Sequence, residues 1–194
     1  MRRKKDTRER LLSTALQIIS TSGLRGATAR AVTQEAGVSL ALVRYHFGSQ
    51  QGLLKAAIEH AAADLFATAD QMSQAESLSE LLSIGLSFAG ELNHRSSLRV
   101  LFEATLSTHQ YPWLRDWSTA QIQGLRALVA SKAPASLPEE QRVAVGLAVA
   151  ALLDGALLHT WIDPDTDVQA LQAGAALLLQ SFSGSQTSRG IQSS

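Results

Sequence analysis

Thr28-Ala-Arg-Ala-Val-Thr-Gln-Glu-Ala36-Gly37-Val38-Ser39-Leu-Ala-Leu-Val43-Arg44-Tyr45-His46-Phe47-Gly48-Ser49 is the stretch on which the fold turns. Thr28 is placed to cap a short helix that carries Val32 and Ala36 on one face. Gly37 then supplies a turn, because a left-handed residue costs least without a Cβ. A second short helix starts at Ser39 and closes near Phe47-Gly48. Two helices joined by about three residues that include glycine form the helix-turn-helix signature.

The flanks extend the helical pattern in both directions. From Thr7 to Ser22 the apolar residues Leu11, Leu12, Ala15, Leu16, Ile18 and Ile19 recur at spacings of three and four, the period of one helix face. Asp6 and Glu9 read as its capping pair and Ser22-Gly23 as its stop. Ser49 caps a stretch with no breaker until about Ser73, roughly 35 Å long at about 1.5 Å per residue. A helix of that length can serve two domains. Further helices are predicted at about Leu78–Asn93, Ser96–Ser107, Tyr111–Ser131, Glu139–Ile162 and Asp167–Phe182, divided by Pro112, Pro134, Pro138 and the Asp163-Pro-Asp turn. No strand pattern and no internal repeat appear, so the class is all-α. The expected division is a helix-turn-helix domain over 1–48, a larger helical domain over 49–182, and a disordered tail over 183–194.

The 194 residues carry 17 Lys+Arg against 17 Asp+Glu and no cysteine. That excludes disulfides, thiolate metal sites and a cysteine nucleophile, and suits a cytoplasmic location. The basic start lacks the apolar segment of a signal peptide. The run Val143 to Leu158 is interrupted by Asp154 and reads as too short for a bilayer, so no membrane partner is expected. The neutral total hides a split. The first 60 residues hold ten basic and four acidic groups, a net of +6, and the remaining 134 carry −6. A basic module joined to an acidic body suits a polyanion such as double-stranded DNA.

The string Ala36-Gly37-Val38-Ser39…Val43-Arg44-Tyr45-His46-Phe47-Gly48-Ser49…Leu53, with the helix before it, resembles the TetR family of bacterial transcriptional regulators over about residues 7–55. Thr33 stands where that family has a small Ala, Arg44 where it commonly has Tyr, and Gln50-Gln51 where it commonly has Lys-Glu. The helix from Ser39 to Phe47 is the candidate major-groove reader. Helical phase turns Val43 and Phe47 inward and leaves Leu40, Ala41, Arg44 and Tyr45 outward. Arg44 can bond guanine bidentately, and Leu40 and Ala41 can meet thymine methyls. The resemblance implies phosphate contacts from Thr28, Ser39, Tyr45, His46 and Ser49, with Gln50 as a neutral substitute for lysine. The arm Arg2 to Lys5 reads as general phosphate attraction. One short helix reads few bases, so a homodimer on a palindromic operator is expected.

The segment from Val143 to Leu153 is apolar on every face and must be buried on all sides. Gly146, Ala150 and Leu153 are expected at a dimer interface, against Ala170, Gly174, Leu177 and Leu178 of the last helix. The resemblance implies a four-helix bundle made by these two helices and their symmetry mates. Phe88, Phe102, Trp113, Trp117 and Trp161 are candidate walls of an effector pocket, with His109, Asp154 and His159, and more weakly His94, as its polar groups. No catalytic motif or cofactor signature is present, and His60 with Asp64 reads as solvated helix surface rather than a metal site. The expected function is a DNA-binding regulator, a repressor released by an unidentified small-molecule effector, and not an enzyme. The alternatives are a helical carrier or enzyme with a vestigial DNA module, or an activator without an inducer.

Overall fold

The computed structural model describes residues 2–92 and 96–184, with side chains described over 6–91 and 97–180. Among these residues there are ten helices and no strand. They are α1 (Arg2–Gly26), α2 (Ala29–Glu35), α3 (Ala41–Phe47), α4 (Gln50–Ala61), α5 (Ala63–Gln74), α6 (Leu78–Leu92), α7 (Ser96–Leu106), α8 (Pro112–Lys132), α9 (Glu139–Ile162) and α10 (Val168–Gly184). The prolines act where their missing N–H costs nothing, Pro112 at the first position of α8 and Pro138 just before α9. Asp167 caps α10, its Oδ1 accepting from the Gln169 and Ala170 amides at 2.9 and 3.0 Å.

Three local expectations change. Helix α1 already runs from Arg2, so Asp6 lies inside it rather than at its start, while Gly23 (φ 75°, ψ 172°) breaks it where the stop was expected. The single helix after Ser49 is two, divided at Ala62, although the Ala62 and Phe66 amides still bond the carbonyls four residues back. The last helix runs on to Gly184, and the expected tail beyond it, like His94, lies outside the described residues.

The chain divides into two compact units, Met1–Phe66 with Arg95–Gln121, and Ala67–His94 with Ile122–Ser194. In the first, Leu11, Ile19, Leu24, Val32, Leu53 and Ile58 form a core completed by Val100 and Leu114, and α1 rests on α2, α4 and α7. In the second, Leu81, Leu86, Val129, Val149 and Leu153 are central, and α6 is the helix on which both α9 and α10 rest.

Helix α9 has 24 residues and is long and apolar enough to cross a bilayer, which corrects the shorter sequence estimate. Its core side is nevertheless committed within the unit: Gly146, Val149, Ala150, Leu153, Ala156 and Thr160 are buried, and the Thr160 hydroxyl lies 3.1 Å from the Ala89 carbonyl of α6. A Cβ at Gly146 would come within 2.5 Å of the Arg126 carbonyl oxygen on α8. Gly146, Ala150 and Leu153 are therefore intramolecular contacts and not the surface offered to a second chain, as their apolarity alone suggested. Gly146→Val is expected to destabilise the protein by about 1–3 kcal/mol through overpacking, read from the urea midpoint.

Candidate nucleic-acid interface

The helix-turn-helix is built by local bonds that the sequence anticipates. Thr28 Oγ1 accepts from the Ala31 amide at 3.1 Å and caps α2, and Gly37 makes the turn at φ 63°. Ser49 Oγ accepts from the Gly52 amide at 3.0 Å and caps α4. Ser39 is exposed but makes no side-chain cap to α3, which Leu40 precedes in helical geometry; only the Ser39 carbonyl engages, accepting from the Leu42 amide at 3.0 Å. The hydroxyl of Thr33, buried where a smaller residue is usual, reaches the Ala29 carbonyl at 2.8 Å and so is satisfied within its own helix.

Helix α3 has two faces. Val43 is 3% exposed and anchors the inner one, with Leu42 and Phe47 packed against the core. On the outer one Ala41, Arg44 and Tyr45 stand at i, i+3 and i+4, with Leu40 just ahead; Leu40 and Tyr45 are 57% and 58% exposed. An exposed leucine and tyrosine beside an arginine, on a helix held rigid from behind, can follow base edges. Thr28, Ser49 and Gln50 are exposed at the two neighbouring helix starts.

His46 departs from the expected outward phosphate role. It is half-buried in phase with Val43 and Leu42, its ring 4.9 Å from that of Tyr45 and 6.2 Å from that of Phe47, and its Nε2 is enclosed. Gln50 does more than replace a charge: its Oε1 accepts from the Ala29 amide at 3.1 Å, tying α4 to the start of α2. Arg8 of α1 lies over the Phe47 ring, 5.3 Å from its centre, covering the end of α3. The side chains of Arg2 to Lys5 lie outside the described residues.

The residues expected to line a pocket are distributed over both units. Phe102, His109, Trp113 and Trp117 belong to the first, where Trp117 meets Phe66 at 6.5 Å between ring centres; Phe88, Asp154, His159 and Trp161 belong to the second. A groove of about 480 Å³ between α6 and α10 is lined by other residues, among them Ser79, Leu82, Ser83, Gln172 and Leu179. On α9, Val143, Leu147, Leu158 and Ile162 form an exposed apolar row that contains Asp154. On α10, Ala170, Gly174, Leu177 and Leu178 are exposed. Asp154 carries a pKa raised above its ordinary 3.8, because its surroundings strip water from the carboxylate more than the Arg126 charge compensates.

A rigid helix-turn-helix with an outward row of Leu40, Ala41, Arg44 and Tyr45 defines a DNA-binding protein. Residues 11–57 match the family model of the bacterial regulatory proteins of the tetR family. The chain is thus a DNA-binding regulator of transcription whose helix-turn-helix module matches that family's model. It is similar to the HTH-type transcriptional regulator BetI of Burkholderia ambifaria (strain MC40-6), 26% identical over 170 residues that cover 78% of this chain and 80% of that one. The BetI of Burkholderia mallei (strain NCTC 10229) is 26% identical over 177 residues, covering 89% and 88%. Among solved structures, a TetR-like transcriptional regulator from Rhodococcus sp. RHA1 shares the fold with a TM-score of 0.70 at 18% identity, covering 92% of this chain and 96% of that one. The multidrug binding protein EbrR complexed with ethidium does so with a TM-score of 0.63 at 23% identity, covering 89% and 97%.

Proposed function

We propose that the protein is a cytoplasmic homodimeric repressor that holds a palindromic operator through two copies of α3 and leaves it when a small molecule binds the helical half. The observation that carries this reading is the exposed row on α3, stabilised from behind and bordered by two capped helix starts. Dimerisation is supported by the exposed apolar row of α9 and the exposed small and apolar residues of α10. An effector is supported by the likeness to the multidrug binding protein EbrR, described in complex with ethidium, and by a groove within the usual volume range of small-molecule sites. Release is then a population shift, in which the effector favours a dimer whose two reading helices no longer match the half-site spacing. Effector and operator weaken each other's binding by the same factor.

Selection of operator sequences from random duplex DNA by the purified protein, followed by a screen for compounds that release the complex, tests both halves of the reading. A palindromic consensus is expected; recovery of no consensus would overturn it. Affinity is expected to fall steeply with salt although the chain is neutral overall, because the positive charge is concentrated in the first 60 residues. Gln50→Lys is expected to steepen the log–log salt slope by about 0.9 per subunit, one further phosphate neutralised. An unchanged slope would place Gln50 away from the backbone.

A further inference from the structure

Gly23 leaves helical geometry inside α1, and the amide of Leu24 that follows it takes a partner from outside the helix. It finds one 79 residues along the chain: Glu103 Oε1 of α7 accepts from the Leu24 N–H at 3.2 Å, within 3.4 Å of the Ser107 hydroxyl. The fit is close, since a Cβ at Gly23 would lie 2.8 Å from that same oxygen. A second tie runs beside it. The Leu106 carbonyl can only accept, so His109 Nδ1 donates to it at 2.8 Å; His109 Nε2 then accepts from the Gln110 amide nitrogen at 3.0 Å. That arrangement turns Gln110 Oε1 toward Arg25, whose Nε donates to it.

The two ties hold Leu24 and Arg25, just before the elbow into α2. Across the elbow, the Thr28 amide bonds the Gly26 carbonyl at 2.8 Å, and Thr28 then caps α2, on which α3 depends. Leu24 and Ala27 are fully buried, so the elbow moves only if the core moves with it. We propose that Glu103 is a positioning residue for DNA reading: from α7 it closes the broken end of α1 and, together with Gln110 on Arg25, sets the direction in which α2 and α3 leave the elbow. This rests on the DNA-binding reading of α3.

The test compares binding of the full-length protein to its selected operator and to random duplex. Wild type, Glu103→Ala, Glu103→Gln and Gln110→Ala are measured by fluorescence anisotropy at one salt concentration. Random duplex reports general attraction to phosphate, whereas the operator reports the pose of α3. Glu103→Ala is expected to lower the ratio of operator to random affinity about tenfold while leaving random binding unchanged, with faster hydrogen exchange at the Leu24 amide. Glu103→Gln keeps an acceptor oxygen and is expected to restore most of the ratio. Gln110→Ala, at an exposed position, is expected to lower the ratio about threefold and provides the answer if Glu103→Ala does not fold. An unchanged ratio in both alanine variants, a parallel fall of both affinities, or a Gln variant no better than Ala would each overturn the assignment. Wild type with no preference for any operator would instead remove the reading on which it rests.

Discussion

Arg44→Ala combined with Tyr45→Ala is expected to reduce operator affinity by about 30-fold to 10⁴-fold, the loss of about 1–3 kcal/mol of discrimination in each of two subunits. The prediction is large because the residues are on the outer face of α3, whereas Val43, with Leu42 and Phe47, anchors the inner one, so the helix itself should survive. Thermal stability should stay within about 0.5 kcal/mol of wild type, as for surface positions generally. Residual binding should be that of the basic module as a whole, equal on operator and random duplex. An unaltered preference for operator in this variant would remove α3 as the reader, whatever the remaining affinity.

Leu147→Asp should have an effect of similar size by another route. Leu147 stands within the exposed row of α9, one turn from its start, and a second copy that covers the row must bury the new carboxylate unpaired. Such a charge costs about 3–5 kcal/mol, which moves a dimer dissociation constant by about two to nearly four orders of magnitude. Sedimentation velocity should show a monomer, and operator binding should fall with it because specificity needs both half-sites. A dimer of unchanged affinity would show that this row of α9 faces elsewhere. Asp154, in the same row, gives a counter-test whose sign is fixed. Its pKa is raised, so its protonated form is the one the folded chain favours; the stability it contributes is present at low pH and is lost as pH rises through the raised value. Burial against a second chain would raise it further, and α10 contributes no titratable residue between Val168 and Gln180 to offset this. The wild-type dimer should therefore tighten as pH falls through the raised Asp154 value, and Asp154→Asn should remove that dependence. A wild-type dimer indifferent to pH would place Asp154 outside the interface.

Much of this architecture was legible because its signals are local. Thr28, Gly37 and Ser49 act at distances of a few residues, and prolines together with the Asp163-Pro turn delimit α8 and α9. What escaped was phase and distance. A helix apolar on all sides has no preferred face, so Gly146, Ala150 and Leu153 could not be separated from Val143, Leu147 and Leu158 until α6 and α8 showed which side was taken. The division at Ala62 lies in a run of three alanines that carries no breaker. The bond of Glu103 to Leu24 spans 79 residues and leaves no trace in any local pattern. The phosphate contact of His46 is implied only by the family resemblance, although its position three residues after Val43 already turns it inward.

Each compact unit is assembled from two separate lengths of chain, and the reading unit is incomplete without Arg95–Gln121. Val100, Leu101, Ala104 and Leu114 close the same core as Leu11, Leu24 and Leu53. During synthesis the reader therefore cannot finish folding until residues of α8 have emerged, well after its own helix-turn-helix is made. The same interleaving limits engineering. A chimera cut at residue 48 or 66 would carry the base-contacting side chains on an open core, whereas one that also transplants residues 95–121 keeps the core whole.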